Sequence, residues 1–226
     1  MKKQSINSKT IILFLMMILF WPISSSGATT QQIIQNVQKT YENAQDVSSE
    51  FSQKIVISSL EKEIEKTGKT IFKQPGKLYV EYDGDDGKLY ISDGKKLWIY
   101  EKGDNQVDLY SVSAQMLPEE ALAFLGGLGN LSAQFKVSSL NKKELQRIKA
   151  AGNLDWLSLI PKNPKSNLEE LILGFDPSTH LVIEAYLKNE TGNLSHYHFK
   201  NVQLNQSIPD AKFVFVKPKG VREIRN

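Results

Sequence analysis

No cysteine occurs among the 226 residues. That excludes thiolate zinc sites, cysteine nucleophiles and any disulfide framework. Histidine is nearly as scarce: His180, His196 and His198 are the only three. No G-x-S-x-G elbow, H-E-x-x-H pair or phosphate-binding glycine loop accompanies them. Gly126-Gly-Leu-Gly129 lacks the third glycine and the preceding strand of a dinucleotide site. Asp83, Asp85 and Asp86 lack EF-hand spacing and read as a turn. His196 and His198 share one face of a strand, but Tyr197 and Phe199 mark the other face as the apolar one. The pair is therefore expected in solvent beside Lys200, without a third ligand. The reading predicts no metal, no cofactor and no catalytic residue, which makes an enzyme the weaker class.

Charge of one sign is also missing once the amino terminus is set aside. Lys2, Lys3 and Lys9 precede an apolar run from Ile11 to Ile23, and Ser24 to Ala28 follow. This is the charged, apolar and small-residue order of a secretory signal peptide, expected to be cleaved after Ala28. The run of 13 residues falls short of a bilayer span, which needs ~20. Residues 1–28 hold three lysines and no acid, so 25 basic residues face 25 acidic ones in the remainder. A neutral chain gives no support for binding nucleic acid. Three of the four methionines leave with the same segment, so any apolar binding surface must be built from Leu, Ile, Val and aromatics.

No long linker, repeat or low-complexity tract interrupts residues 29–226, which read as one domain. Thr29 and Gln32 have capping-box spacing, and Ile33, Ile34, Val37 and Tyr41 form one helical face. Strand candidates follow at 51–58 and 69–73, flanking a charged loop at 61–66. In 77–82, Leu78, Val80 and Tyr82 alternate with Lys77, Tyr79 and Glu81. Asp93-Gly94 predicts a type I′ hairpin between 89–92 and 96–100. Further candidates are 134–140, 154–160, 168–175, 181–187, 194–204 and 212–216, spaced for antiparallel hairpins. Pro118 to Leu125 reads as a helix with proline at N1 and acids in its first turn, followed by Gly126, Gly127 and Gly129. It is either a helix packed permanently on the sheet or a movable apolar lid with a glycine hinge.

Several stretches resemble the outer-membrane lipoprotein carrier protein family, LolA. They are Phe51-Ser-Gln53, Gly68-Lys-Thr-Ile-Phe-Lys-Gln-Pro-Gly-Lys77, Tyr90-Ile-Ser-Asp-Gly-Lys-Lys-Leu-Trp-Ile-Tyr100 and Trp156-Leu-Ser-Leu-Ile-Pro-Lys162. Leu173-Gly-Phe-Asp176, Phe199-Lys-Asn-Val-Gln-Leu-Asn205, Ile208-Pro-Asp-Ala-Lys-Phe-Val-Phe215 and Pro218-Lys-Gly-Val221 continue the order. The resemblance implies a mainly β fold with helices: an incomplete antiparallel barrel whose concave face is covered by a helical lid over an apolar cavity. It implies a monomeric periplasmic chaperone of a Gram-negative bacterium. Such a carrier takes acylated lipoproteins from an inner-membrane ABC transporter to an outer-membrane acceptor lipoprotein.

Pattern alone favours ordinary core for the apolar positions, whereas the resemblance assigns them to a cavity. On that assignment Leu78, Val80 and Tyr82 form the floor. Ile33, Ile34 and Val37, with Leu122, Phe124 and Leu125, form the cover. In the family an arginine commonly precedes the proline that aligns with Pro75 and latches the lid. Gln74 stands there and lacks the charge and forked geometry of guanidinium. Residues 141–152 look helical where the family usually has a short turn, with Lys142, Lys143, Arg147 and Lys149 either merely solvated or docking a partner. Two rivals remain: a periplasmic lipid-sensing regulatory module on a similar half-barrel, and a hydrolase with an unrecognised acidic site.

Overall fold

Helix α1 (Thr30–Glu42) starts where the side chain of Thr29 accepts from the Gln32 N–H and the Gln32 side chain accepts from the Thr29 N–H. This capping box satisfies orphan donors of the first turn. The structure, a computed structural model, describes residues 29–111, 131–150, 152–164 and 166–226. After α1 come β1 (Asp46–Ile57), β2 (Lys62–Lys73), β3 (Lys77–Tyr82), β4 (Lys88–Asp93), β5 (Lys96–Glu101) and β6 (Gln106–Ser111). Then follow α2 (Leu131–Gln134), β7 (Phe135–Ser139), α3 (Lys142–Arg147), β8 (Asp155–Pro161), β9 (Leu168–Phe175), β10 (Val182–Asn189), β11 (Leu194–Leu204) and β12 (Arg222–Arg225).

All the strands join one sheet in the order β12-β6-β5-β4-β3-β2-β1-β11-β10-β9-β8-β7. Every neighbouring pair is antiparallel except β12 with β6. Among the described residues β12 and β7 are not paired to each other, so the sheet is open.

Strand alternation gives the sheet two faces. The inner face carries α1, whose Ile33, Ile34, Val37 and Tyr41 pack on Phe51, Leu157, Leu171, Leu173 and Phe199 in the main core. The outer face is covered at two places. Fully buried Phe213 anchors Ile208 and Phe215 over Tyr79, Ile91 and Trp98. Leu145 and Ile148, from α3 and its cap, lie over Trp156, Ile172 and Tyr186.

Several expectations need correction. The charged run at 61–66 is largely strand, because β1 and β2 stay in register from Asp46↔Lys73 to Ile57↔Lys62. Its charges sit on a solvated ladder, where Lys54 and Glu63 pair at 2.7 Å. The β4–β5 turn centres on Gly94 and Lys95, and of these only Gly94 has positive φ, at 90°. Type I′ needs positive φ at both central residues, so that turn does not form here. Residues 212–216 form no strand: Asp210–Phe213 is a 3-10 turn that aims Phe213 into the outer cluster. His196 and His198 are not left to solvent. The β10–β11 register sets Glu184 opposite His198 and Tyr186 opposite His196. Glu184 bridges both rings, at 2.6 Å from His196 Nε2 and 2.8 Å from His198 Nδ1.

Candidate functional site

Strand register concentrates aromatic side chains on the inner face. Gly68 of β2 stands between Phe51 of β1 and Tyr82 of β3. Tyr90 and Tyr82 have ring centroids 6.2 Å apart, Tyr82 and Phe51 5.2 Å, and Phe51 and Tyr197 5.7 Å. These contacts form a row from β4 across to β11. Tyr197 then stacks on Phe199 at 5.9 Å, and its hydroxyl lies 3.3 Å from that of Tyr82.

The structure brings Ile33, Ile34 and Val37 together with Val80 and Tyr82 in one apolar cluster. Leu78 is on the same face but belongs to a second cluster with Phe72, under Val80 and Tyr90, and exposes no surface. Val80, Tyr82 and Tyr90 remain half-buried and are the inner-face surface of this half. Leu122, Phe124, Leu125, Gly126, Gly127 and Gly129 lie outside the described residues. Sequence reasoning passed over Phe51, Tyr197 and Phe199 as site residues. Their signal was the alternation with polar Glu50, Ser52, His196 and His198 on the same strands.

Tyr41 fixes the end of α1 at both ends of the residue. Its buried hydroxyl accepts from the Val182 N–H at 3.0 Å, and its carbonyl accepts from Gln74 Nε2 at 3.2 Å. Burial pushes the Tyr41 phenol up to about 12, partly offset by the Val182 hydrogen bond. Gln74 also donates its backbone N–H to the Gln45 carbonyl at 2.9 Å. Gln74, just past the end of β2, is thus hydrogen-bonded both to the last turn of α1 and to the α1–β1 connection.

The face is not purely apolar. Gln53 Oε1 and Thr70 Oγ1 are buried without a hydrogen-bond partner among the described residues. No group of three or more metal-ligating side chains occurs among those residues, and no helix there is long and apolar enough to cross a membrane. An aromatic-lined sheet face under an amphipathic helix is suited to holding extended hydrocarbon, which needs apolar contact and little else.

Residues 42–216 match the family model described as outer membrane lipoprotein carrier protein LolA. The chain belongs to this LolA family. Outer-membrane lipoprotein carrier proteins of Nitrosomonas europaea and Chromobacterium violaceum are similar to it. The first is 26% identical over 205 residues, covering 91% of this chain and 92% of its own length. The second is 29% identical over 175 residues, covering 77% and 79%. Among solved structures, an uncharacterized conserved protein from Thermus thermophilus superposes with a TM-score of 0.53 at 12% identity. It covers 87% of this chain and 98% of its own, a likeness of fold alone.

Proposed function

We propose that this LolA-family chain is a periplasmic carrier of acylated lipoproteins, without catalytic activity or cofactor. It accepts cargo from an inner-membrane ABC transporter and passes it to an acceptor lipoprotein at the outer membrane, working as a monomer. The observation that carries this reading is the half-buried inner-face surface of Val80, Tyr82 and Tyr90, continuous with the apolar cluster under α1. A lipoprotein anchor with three acyl chains exposes on the order of 40 CH₂ groups, each worth ~0.8 kcal/mol when sheltered. Crossing water therefore requires an apolar host. Release without ATP requires that the host regain contacts of its own when empty. Leu78 against Phe72, and α1 against β1, supply such contacts. Mass spectrometry of material copurifying from the periplasm tests the reading. Many different acylated lipoproteins are expected; one dominant protein partner would make the chain a sensor instead.

A further inference from the structure

On the outer face, a cavity of about 370 Å³ opens between the end of α3 and the turn at Gly192. The sheet separates it from the inner face. Ile172, Tyr186 and Leu194 make its floor, and Arg147, Lys149 and Lys188 stand at its rim with one carboxylate, Glu170. The floor is rigid: Tyr186 stacks on His196 at 4.0 Å with an interplanar angle of 5°, and its hydroxyl donates to the Ile148 carbonyl at 3.2 Å. Glu170 is already engaged by Arg147 at 3.2 Å and by the Ser158 hydroxyl at 2.7 Å, while Lys188 pairs with Glu169 at 2.7 Å. Lys149 has no carboxylate partner among the described residues, so the rim carries surplus positive charge.

Lys149 is also oddly chosen for its backbone. Ala150 N–H donates to the Leu145 carbonyl at 2.9 Å and Lys149 N–H to Gln146 at 3.1 Å, which is a Schellman ending. Lys149 takes its left-handed position at φ 52°, where glycine is the ordinary residue. The cap fixes the Lys149 backbone at the mouth of the apolar pocket.

We infer that this outer cavity binds a small amphiphile: an apolar body seated on Tyr186, Ile172 and Leu194, with a single carboxylate held by Lys149. The site is independent of the inner-face carrier reading. The test is methyl NMR on the mature chain, titrated with 4-phenylbutyrate and, separately, 4-phenylbutylamine. The acid should shift the Ile172 and Leu194 methyls saturably and the amine should not. Lys149→Glu should weaken the acid by about tenfold, while Lys149→Arg retains it. Unmoved Ile172 and Leu194 methyls, equal response to acid and amine, or unchanged binding in Lys149→Glu would each overturn the inference. So would shifts confined to Ile33, Ile34 and Val80 on the inner face.

Discussion

Phe51 and Tyr82 touch edge to face with ring centroids 5.2 Å apart, although β2 runs between their strands. The residue between them is Gly68. A Cβ at that position would stand 2.6 Å from the Phe51 ring and 2.2 Å from the Glu81 carbonyl oxygen. One missing side chain thus joins the aromatic surface of β3 to the core under α1.

Gly68→Ala should destabilise the fold by about 1–3 kcal/mol, as overpacking does. Phe51→Ala in the same chain should not restore stability, because the Glu81 carbonyl is backbone and cannot step aside. Urea unfolding of the single and double variants checks this. Recovery in the double variant would assign the whole conflict to the Phe51 ring.

Glu184 should make the outer face acid-sensitive. Burial pushes its carboxyl up, but hydrogen bonds from His196 and His198, with their charge, outweigh that and hold it below its ordinary value of 4.5. A depressed folded value means that the stabilisation is present above pH 4.5 and lost as pH falls through the folded value. Glu184→Gln should lose roughly 1–3 kcal/mol at pH 6. It should also show a flatter stability curve below pH 4.5. Urea midpoints measured across pH for both proteins decide it.

The outer-face plug should depend on Phe213 far more than on its ion pairs. Phe213 is fully buried, and its truncation to alanine should cost about 3–5 kcal/mol. Asp210 meets Lys73 at 2.7 Å and Lys77 at 2.6 Å, and these ammonium groups hold its carboxyl down at about 2. It is solvent-exposed, so Asp210→Ala should lower the melting temperature much less than Phe213→Ala. Comparable losses in thermal melts would contradict this ranking.

Gln74→Arg should tighten the attachment of the α1 C-terminus. A guanidinium at the Tyr41 carbonyl gains charge assistance and complements the negative end of the helix. If the empty form competes with cargo, uptake of a hydrophobic probe should fall several-fold for a gain of about 1 kcal/mol. Amide exchange at Tyr41 to Asn43 should slow in parallel. Equal exchange and equal uptake would show that position 74 is no latch.

Much of the fold was legible because it follows from period and punctuation. The α1 face, the capping box and the alternation in β3 and β11 are all local signals. What was not legible depends on partners distant in the chain. β12 has four residues and little apolar pattern, and it exists as a strand because β6 offers a parallel edge. The strand at 62–66 is held by its ladder to β1, against its charged composition. Within the site, alternation placed Leu78 and Val80 on one face correctly. Only packing distinguishes Leu78, sealed by Phe72, from Val80, which keeps accessible surface. The Glu184 bridge between the two histidines is likewise a matter of register between β10 and β11.

The central claim, that the inner face carries acyl chains, is tested most directly by photo-crosslinking in cells. A benzophenone side chain is placed at Val80 on the inner face and, in a second strain, at exposed Glu50 on the outer face of β1. The account predicts crosslinks from position 80 to many different acylated lipoproteins, lost when lipoprotein acylation is blocked, and none of these from position 50. Absence of lipoprotein crosslinks at position 80, or an identical set from both positions, would contradict it.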